Sequence, residues 1–315
     1  MSDPRLKAAT STARNCALDV VWRQWLALGA PLAGGSGRAA RSIVDPEALV
    51  LLSLCLREEE RRLDDVLGWW AETSASLLSV QRIATLAAAF PDAARAGMAE
   101  FGWTAAAAGD RRWTRLKAGA SEGIAHRRKG RGEIRMEEGP ALMLKLRAGF
   151  GVGVKADLLS ILIGLAGAPT TVRALAAASS YTPVAVRTAA HEMVRARVIR
   201  GTRERPAAYS ADSRGWLDLL FSETSRTHAA PLWHFWAQVF SFLAGVMEWG
   251  EEEGDSRVST YVHSSRARDL YERHQTAFTY NRIPLPDAGA YRGPEFLTLF
   301  GATIDRLSTW TKEAV

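Results

Sequence analysis

The stretch TTVRALAAASSYTPVAVRTAAHEMVRARVIRGTRERPAAYS, residues 170–210, decides the fold. It opens on Thr170-Thr171, either of which can cap a helix from about Val172 to Ala178. The apolar face of that helix is Val172, Leu175 and Ala176, and small Ala176 and Ala177 let a neighbouring helix approach closely. Ser179-Ser180-Tyr181 makes a short turn. Thr182-Pro183 then starts another helix, with a capping hydroxyl followed by proline at the first helical position. It runs to about Arg195 with Val186, Ala189, Ala190 and Met193 facing inward. Val198-Ile199-Arg200 is β-type, Gly201 to Pro206 is a turn, and Ala207 to Ser210 returns as a second strand. Just upstream, Leu158, Leu159, Ile161, Leu162 and Leu165 mark an apolar helix that Gly167-Ala168-Pro169 breaks.

Helix, helix, short turn, helix, hairpin: this order over Lys155 to Arg214 resembles the winged helix-turn-helix superfamily, in the manner of bacterial MarR-like and ArsR-like regulators. The residues that carry the resemblance are Thr171 to Ala176, Tyr181 to Arg187, Met193, Val198-Ile199 and the Arg203 to Tyr209 wing. The superfamily usually has glycine where Arg197 stands and leucine where Ala190 stands. The resemblance implies a sequence-specific, double-stranded-DNA-binding transcriptional regulator, a dimeric repressor; the two lone cysteines suggest a cytoplasmic location, and no motif in the chain calls for catalytic residues, a cofactor or a metal. Dimers of this kind place two-fold symmetry over a palindromic site. Operator, sign of regulation and any small-molecule effector are left unspecified.

Physics gives the contacts that such a reading needs. With Val186, Ala189, Ala190 and Met193 inward, Thr182, Pro183, Val184, Arg187 and Thr188 point outward. A helix fits the major groove, where arginine can bond a guanine edge twice, so Arg187 is the candidate base reader. Thr182 and Thr188 suit phosphate or a thymine methyl. Arg200, Arg203 and Arg205 on the wing suit the backbone or the minor groove. The chain carries a net charge of +6. Residues 155–214 hold nine Lys or Arg against four Asp or Glu, so most of that excess lies here.

Outside this stretch the signals are weaker. At 315 residues and 47% hydrophobic composition the chain can build about two or three domains. The expected fold class is mainly α, with the central winged helix-turn-helix flanked by N- and C-terminal helical regions. The expected divisions are an N-terminal helical domain over 1–118, a basic linker over 119–140, the winged unit over 141–214 and a C-terminal helical domain over 215–315. Asp45-Pro46-Glu47 is a helix start, and one helix is expected from Ala48 to about Trp69. Leu77 to Leu86 suggests another, ended near Phe90-Pro91. The basic run His126 to Gly132 reads as a DNA-backbone arm or a solvated hinge. Gly149 to Lys155 lacks the Gly-Lys-Ser/Thr of a phosphate loop and follows a helix-like segment instead of a strand, so it reads as a flexible entry. Trp22, Trp25, Trp69, Trp70, Trp103 and Trp113 could line an effector pocket, though core packing is the simpler reading.

A long helix is expected from Pro231 to Trp249, with a seam of Trp233, Trp236, Phe240, Leu243 and Met247. Core, dimer interface and aromatic pocket are all open for it. Cys16 and Cys55 cannot make a disulfide framework, no apolar run is long enough for a membrane span, and the six histidines lack zinc-site spacing. Arg268-Asp269-Leu270-Tyr271-Glu272-Arg273-His274 is similar to the arginine–spacer–histidine motif of HEPN ribonucleases. That gives one alternative: a helical ribonuclease or toxin-associated protein using Arg268 and His274. A winged-helix protein–protein adaptor is the other.

Overall fold

Side-chain caps start several of the helices. In the computed structural model, which describes residues 3–30, 40–117, 119–126, 132–221, 230–252, 259–287, 289 and 291–315, the Asp3 side chain accepts the Arg5 N–H and Pro4 opens α1 (Pro4–Ala27). Asp45 accepts the Ala48 N–H at the head of α2 (Pro46–Leu56), and Ser79 accepts the Arg82 N–H at the head of α4 (Val80–Ala87). Between them lies α3 (Arg62–Thr73), and α5 (Asp92–Ala107) follows. The single helix expected from Ala48 to Trp69 is therefore two. The charged run around residues 57–62 interrupts it, and its side chains pair across the break: Arg57 with Asp64 and with Glu100 of α5, Arg62 with Glu60.

The central stretch forms α6 (Leu142–Phe150), α7 (Val154–Gly164), β1 (Thr170–Thr171), α8 (Val172–Ser179), α9 (Pro183–Arg195), β2 (Arg200–Gly201), β3 (Ala208–Ser210) and α10 (Ser213–Leu220). The three strands are antiparallel in the order β1-β3-β2, pairing Thr170 with Tyr209 and Gly201 with Tyr209 on the two sides of the middle strand. Four more helices complete the chain: α11 (Trp236–Glu252), α12 (Thr260–Arg273), α13 (Gln275–Tyr280) and α14 (Phe296–Ala314). The architecture of the described residues is mainly helical, with one small sheet.

Pro231 does not start α11. Residues 231–235 are not helical, and tertiary partners take their backbone groups: Trp233 N–H donates to Gly164 O, Leu232 O accepts from Ile43 N–H, and Phe235 N–H donates to the Asn281 side chain. The helix begins only after these bonds are made.

Two apolar cores result. The first joins α1–α5 to α11–α14, with Trp25 packed edge-on to Trp70 at 5.1 Å and Phe242 to Phe278 at 5.0 Å. The seam residues Trp236, Phe240, Leu243 and Met247 all lie inside it, as do Trp25, Trp69, Trp70 and Trp113. Trp103 is exposed. The second core lies under α6–α10 and also takes in Ile43, Trp233 and Phe235. Segments from both sides of the central unit thus share one core, while the unit between them has its own. No helix among the described residues is long and apolar enough to cross a membrane.

Candidate nucleic-acid interface

Helix α9 is placed by its two ends and one face. Thr182 Oγ1 accepts the Ala185 N–H at 3.2 Å and Pro183 occupies the first turn. Val186, Ala189, Ala190 and Met193 are buried against α7 and α8. The opposite face is open: Thr182, Pro183, Val184, Arg187 and Thr188 are all exposed, Val184 at 68%. Ala190, where the superfamily pattern has leucine, is fully buried.

The hairpin carries the remaining candidate residues. Thr202 N–H donates to Ala208 O and Ala208 N–H to Thr202 Oγ1, which close the loop between β2 and β3. Arg200, Arg203 and Arg205 are exposed along it. Arg200 stands 3.8 Å from Asp212, a loose contact between two exposed groups. Arg173 on α8 and Arg195 and Arg197 at the end of α9 are exposed as well. Glu192 of α9 pairs with Lys155 at 2.7 Å, and that hydrogen bond holds its carboxyl below the usual range. Arg197 adopts φ +58°, the left-handed region that favours glycine. An arginine is strained there relative to glycine.

A surface groove of about 490 Å³ lies between α9 and the loop 151–153, with Phe150, Lys155, Thr188 and Glu192 among its walls. Helix α6 runs up to the loop through Phe150, so no strand precedes the glycines.

Beneath the α8–α9 turn sits a set of residues that motif reading missed. Asp45, Glu47, Arg82, Arg147 and Asp157 have fully buried side chains and are joined end to end. Arg82 forms a fork with Asp45, both bonds 2.6 Å, and also donates to Glu47. Glu47 accepts from Arg147 at 2.6 Å and from the Ser79 N–H at 2.7 Å. Arg147 forks onto Asp157 at 2.7 and 2.9 Å. Tyr181 donates its hydroxyl to Asp157 at 2.9 Å, and Arg82 Nε donates to Ser179 O at 2.8 Å. Burial would push the Glu47 carboxyl up, but the Arg147 and Arg82 guanidiniums together outweigh it and hold it at about 2. Burial first, then the Asp157 charge, push the Tyr181 phenol up, so it remains a donor. The sequence held one faint signal: Glu47, Arg147 and Asp157 are isolated charges within strongly apolar helices.

The other candidates are scattered. Arg268 lies over the Phe296 ring at 4.2 Å and donates to Tyr291 O. His274 lies in a separate groove of about 560 Å³ between α11 and α12, with Nδ1 3.3 Å from Ser241 Oγ. Arg268 is not among the residues lining that groove. Burial, and then Arg273, push the His274 imidazole down to about 4. The basic run 127–131 falls outside the described residues, but both its flanks rest on α3. His126 sits over Gly68 and stands 3.4 Å from Glu72, and Trp69 Nε1 donates to Gly132 O. Among the described residues no cluster of His, Cys, Asp or Glu is arranged to hold a metal ion. Cys16 and Cys55 are free thiols. Comparison with known proteins gives no matching family model, no matching curated protein and no matching solved structure.

Proposed function

We propose that α7, α8, α9 and the β2–β3 hairpin form a winged helix-turn-helix that reads double-stranded DNA, and that the protein is a sequence-specific transcriptional regulator. The observation that carries this reading is the two-sided character of α9: its inward row is buried, while its N-terminal outward row presents Thr182, Val184, Arg187 and Thr188 to solvent beside a hairpin bearing three exposed arginines. A helix N-terminus of this kind enters the major groove, where Arg187 bonds the O6 and N7 of a guanine. Arg200, Arg203 and Arg205 neutralise phosphates or enter the adjacent minor groove, which supplies affinity without sequence information. A homodimer would double both contributions on a two-fold site, and occupation of that site would repress.

The test begins with a duplex selected by the wild-type chain from a random-sequence pool. Affinity for it should fall steeply with salt. Arg187→Ala should lower affinity for the selected duplex by roughly 5- to 150-fold, the loss of one two-bond base contact, while binding to a scrambled duplex hardly changes. If the wild-type chain enriches no sequence and binds no duplex at low salt, the reading is wrong.

A further inference from the structure

Packing against α7 and α8 fixes which face of α9 is buried, but not how far its N-terminus swings. That is set by the turn that feeds it. Three residues around that turn are each gripped by a side chain from outside α8 and α9. Gln238 of α11 donates Nε2 to Ala177 O at 2.8 Å. Arg82 of α4 donates Nε to Ser179 O at 2.8 Å. Tyr181 donates to Asp157 of α7, which Arg147 ties to Glu47 of α2. Between the last two grips Ser180 turns the chain at φ +59°.

We propose that Arg82 and Tyr181 are positioning residues which set the attitude of α9 for DNA, and that the helices α2, α4 and α11 serve as its platform. This rests on reading α9 as the DNA-contacting helix. The grip is directional. A guanidinium fork onto a carboxylate tolerates little rotation, and a shift of any one member strands buried charges on its neighbours. Apolar contacts alone would let the central unit slide over the first core, because they depend on area more than on direction. With the network in place, the start of α9 cannot tilt without breaking the Ser179 or the Tyr181 bond. A base-reading side chain near the start of α9 is the one most sensitive to such a tilt.

The experiment uses the full chain in three variants. Tyr181→Phe removes one hydroxyl and keeps the ring. Arg82→Lys keeps a cation for Asp45 and Glu47 but loses the fork. Ile304→Val is a control that trims the first core far from the turn. Amide hydrogen exchange is followed over α9 and α12, and affinity is measured for the selected duplex and its scrambled counterpart. In Tyr181→Phe the Ala185 and Val186 amides, which Thr182 holds at the start of α9, should exchange about tenfold faster while α12 is unchanged, the signature of a local opening. The preference for the selected over the scrambled duplex should fall by about the same factor, since a hydrogen bond to a charged group is at stake. Arg82→Lys should do the same if it folds, and Tyr181→Phe decides the matter if it does not. Ile304→Val should leave the duplex preference untouched. Unchanged α9 exchange in Tyr181→Phe overturns the proposal, as does faster exchange with an intact duplex preference. A wild-type chain that binds no duplex defeats the DNA reading instead, and the exchange data then decide alone whether the grip holds α9.

Discussion

Acidification from pH 7 to pH 5 is expected to cost this protein about 4 kcal/mol of folding stability, half from each of two half-buried histidines, His234 and His274. His234 is wedged between the rings of Trp236 and Trp310, at 5.6 and 5.1 Å, and burial pushes its imidazole down to about 4. His274, beside Ser241, is pushed to about 4 as well. In the unfolded chain both titrate near 6.5, so as the pH drops the unfolded state takes up protons that the folded state refuses. Their contribution is complete above about pH 6.5 and is lost progressively toward pH 4. At pH 5 each histidine has given up about 2 kcal/mol, a sizeable share of a typical stability of about 5–15 kcal/mol.

Urea denaturation followed by circular dichroism at pH 7, 6 and 5 measures this directly. The midpoint should drop by about 1 M between the end points. His234→Phe keeps a ring against the two tryptophans, and His274→Gln keeps a polar partner for Ser241. The double variant should lose about 4 kcal/mol of this pH dependence. A flat wild-type profile, or an unchanged slope in the double variant, would refute the argument. Below pH 4.5 a second loss should follow as Glu47, held at about 2, resists protonation in the folded state alone.

Two further expectations concern stability at neutral pH. Arg197→Gly should raise stability by about 0.5–1 kcal/mol, because relief of the left-handed strain exceeds the added entropy of a glycine in the unfolded chain; a urea midpoint at or below wild type would refute it. Arg147→Met should cost about 3–5 kcal/mol, since Glu47 and Asp157 would be left buried without their shared cation, whereas Lys155→Ala, which breaks an exposed pair, should stay within about 0.5 kcal/mol. Equal losses in the two variants by urea denaturation would mean that the network is not desolvated in solution.

Several features that depend on near neighbours were legible in the sequence. Thr171 and Thr182 cap α8 and α9 because a hydroxyl at that spacing reaches an amide three residues on. The inward row of α9 followed from helical periodicity alone. Arg197, which departs from the glycine of the resembled pattern, adopts φ +58°. What could not be read depended on distant partners. Asp45 was visible as a cap, which it is, but its pairing with Arg82 lies 37 residues away. The Arg147–Glu47 pair spans 100 residues. Pro231 offered the proline of a helix start, but bonds to Gly164, Ile43 and Asn281 hold the segment that follows it.

The same long-range bonds hold the central unit, α6 to α10, in register with helices from both ends of the chain. The unit is tied where the chain enters it and where the chain leaves. Val44 N–H donates to Pro140 O just before α6, and Trp233 N–H donates to Gly164 O after α10. Between these ties lies the buried network, with three carboxylates set against two guanidiniums and the Tyr181 hydroxyl. Such a network is weak evidence for stability, because apolar side chains of similar volume often serve as well or better. What it supplies is a single geometry: carboxylates and guanidiniums this deeply buried are satisfied in one arrangement and severely penalised in any other. If α9 reads DNA, that geometry is what places Arg187 relative to the hairpin arginines.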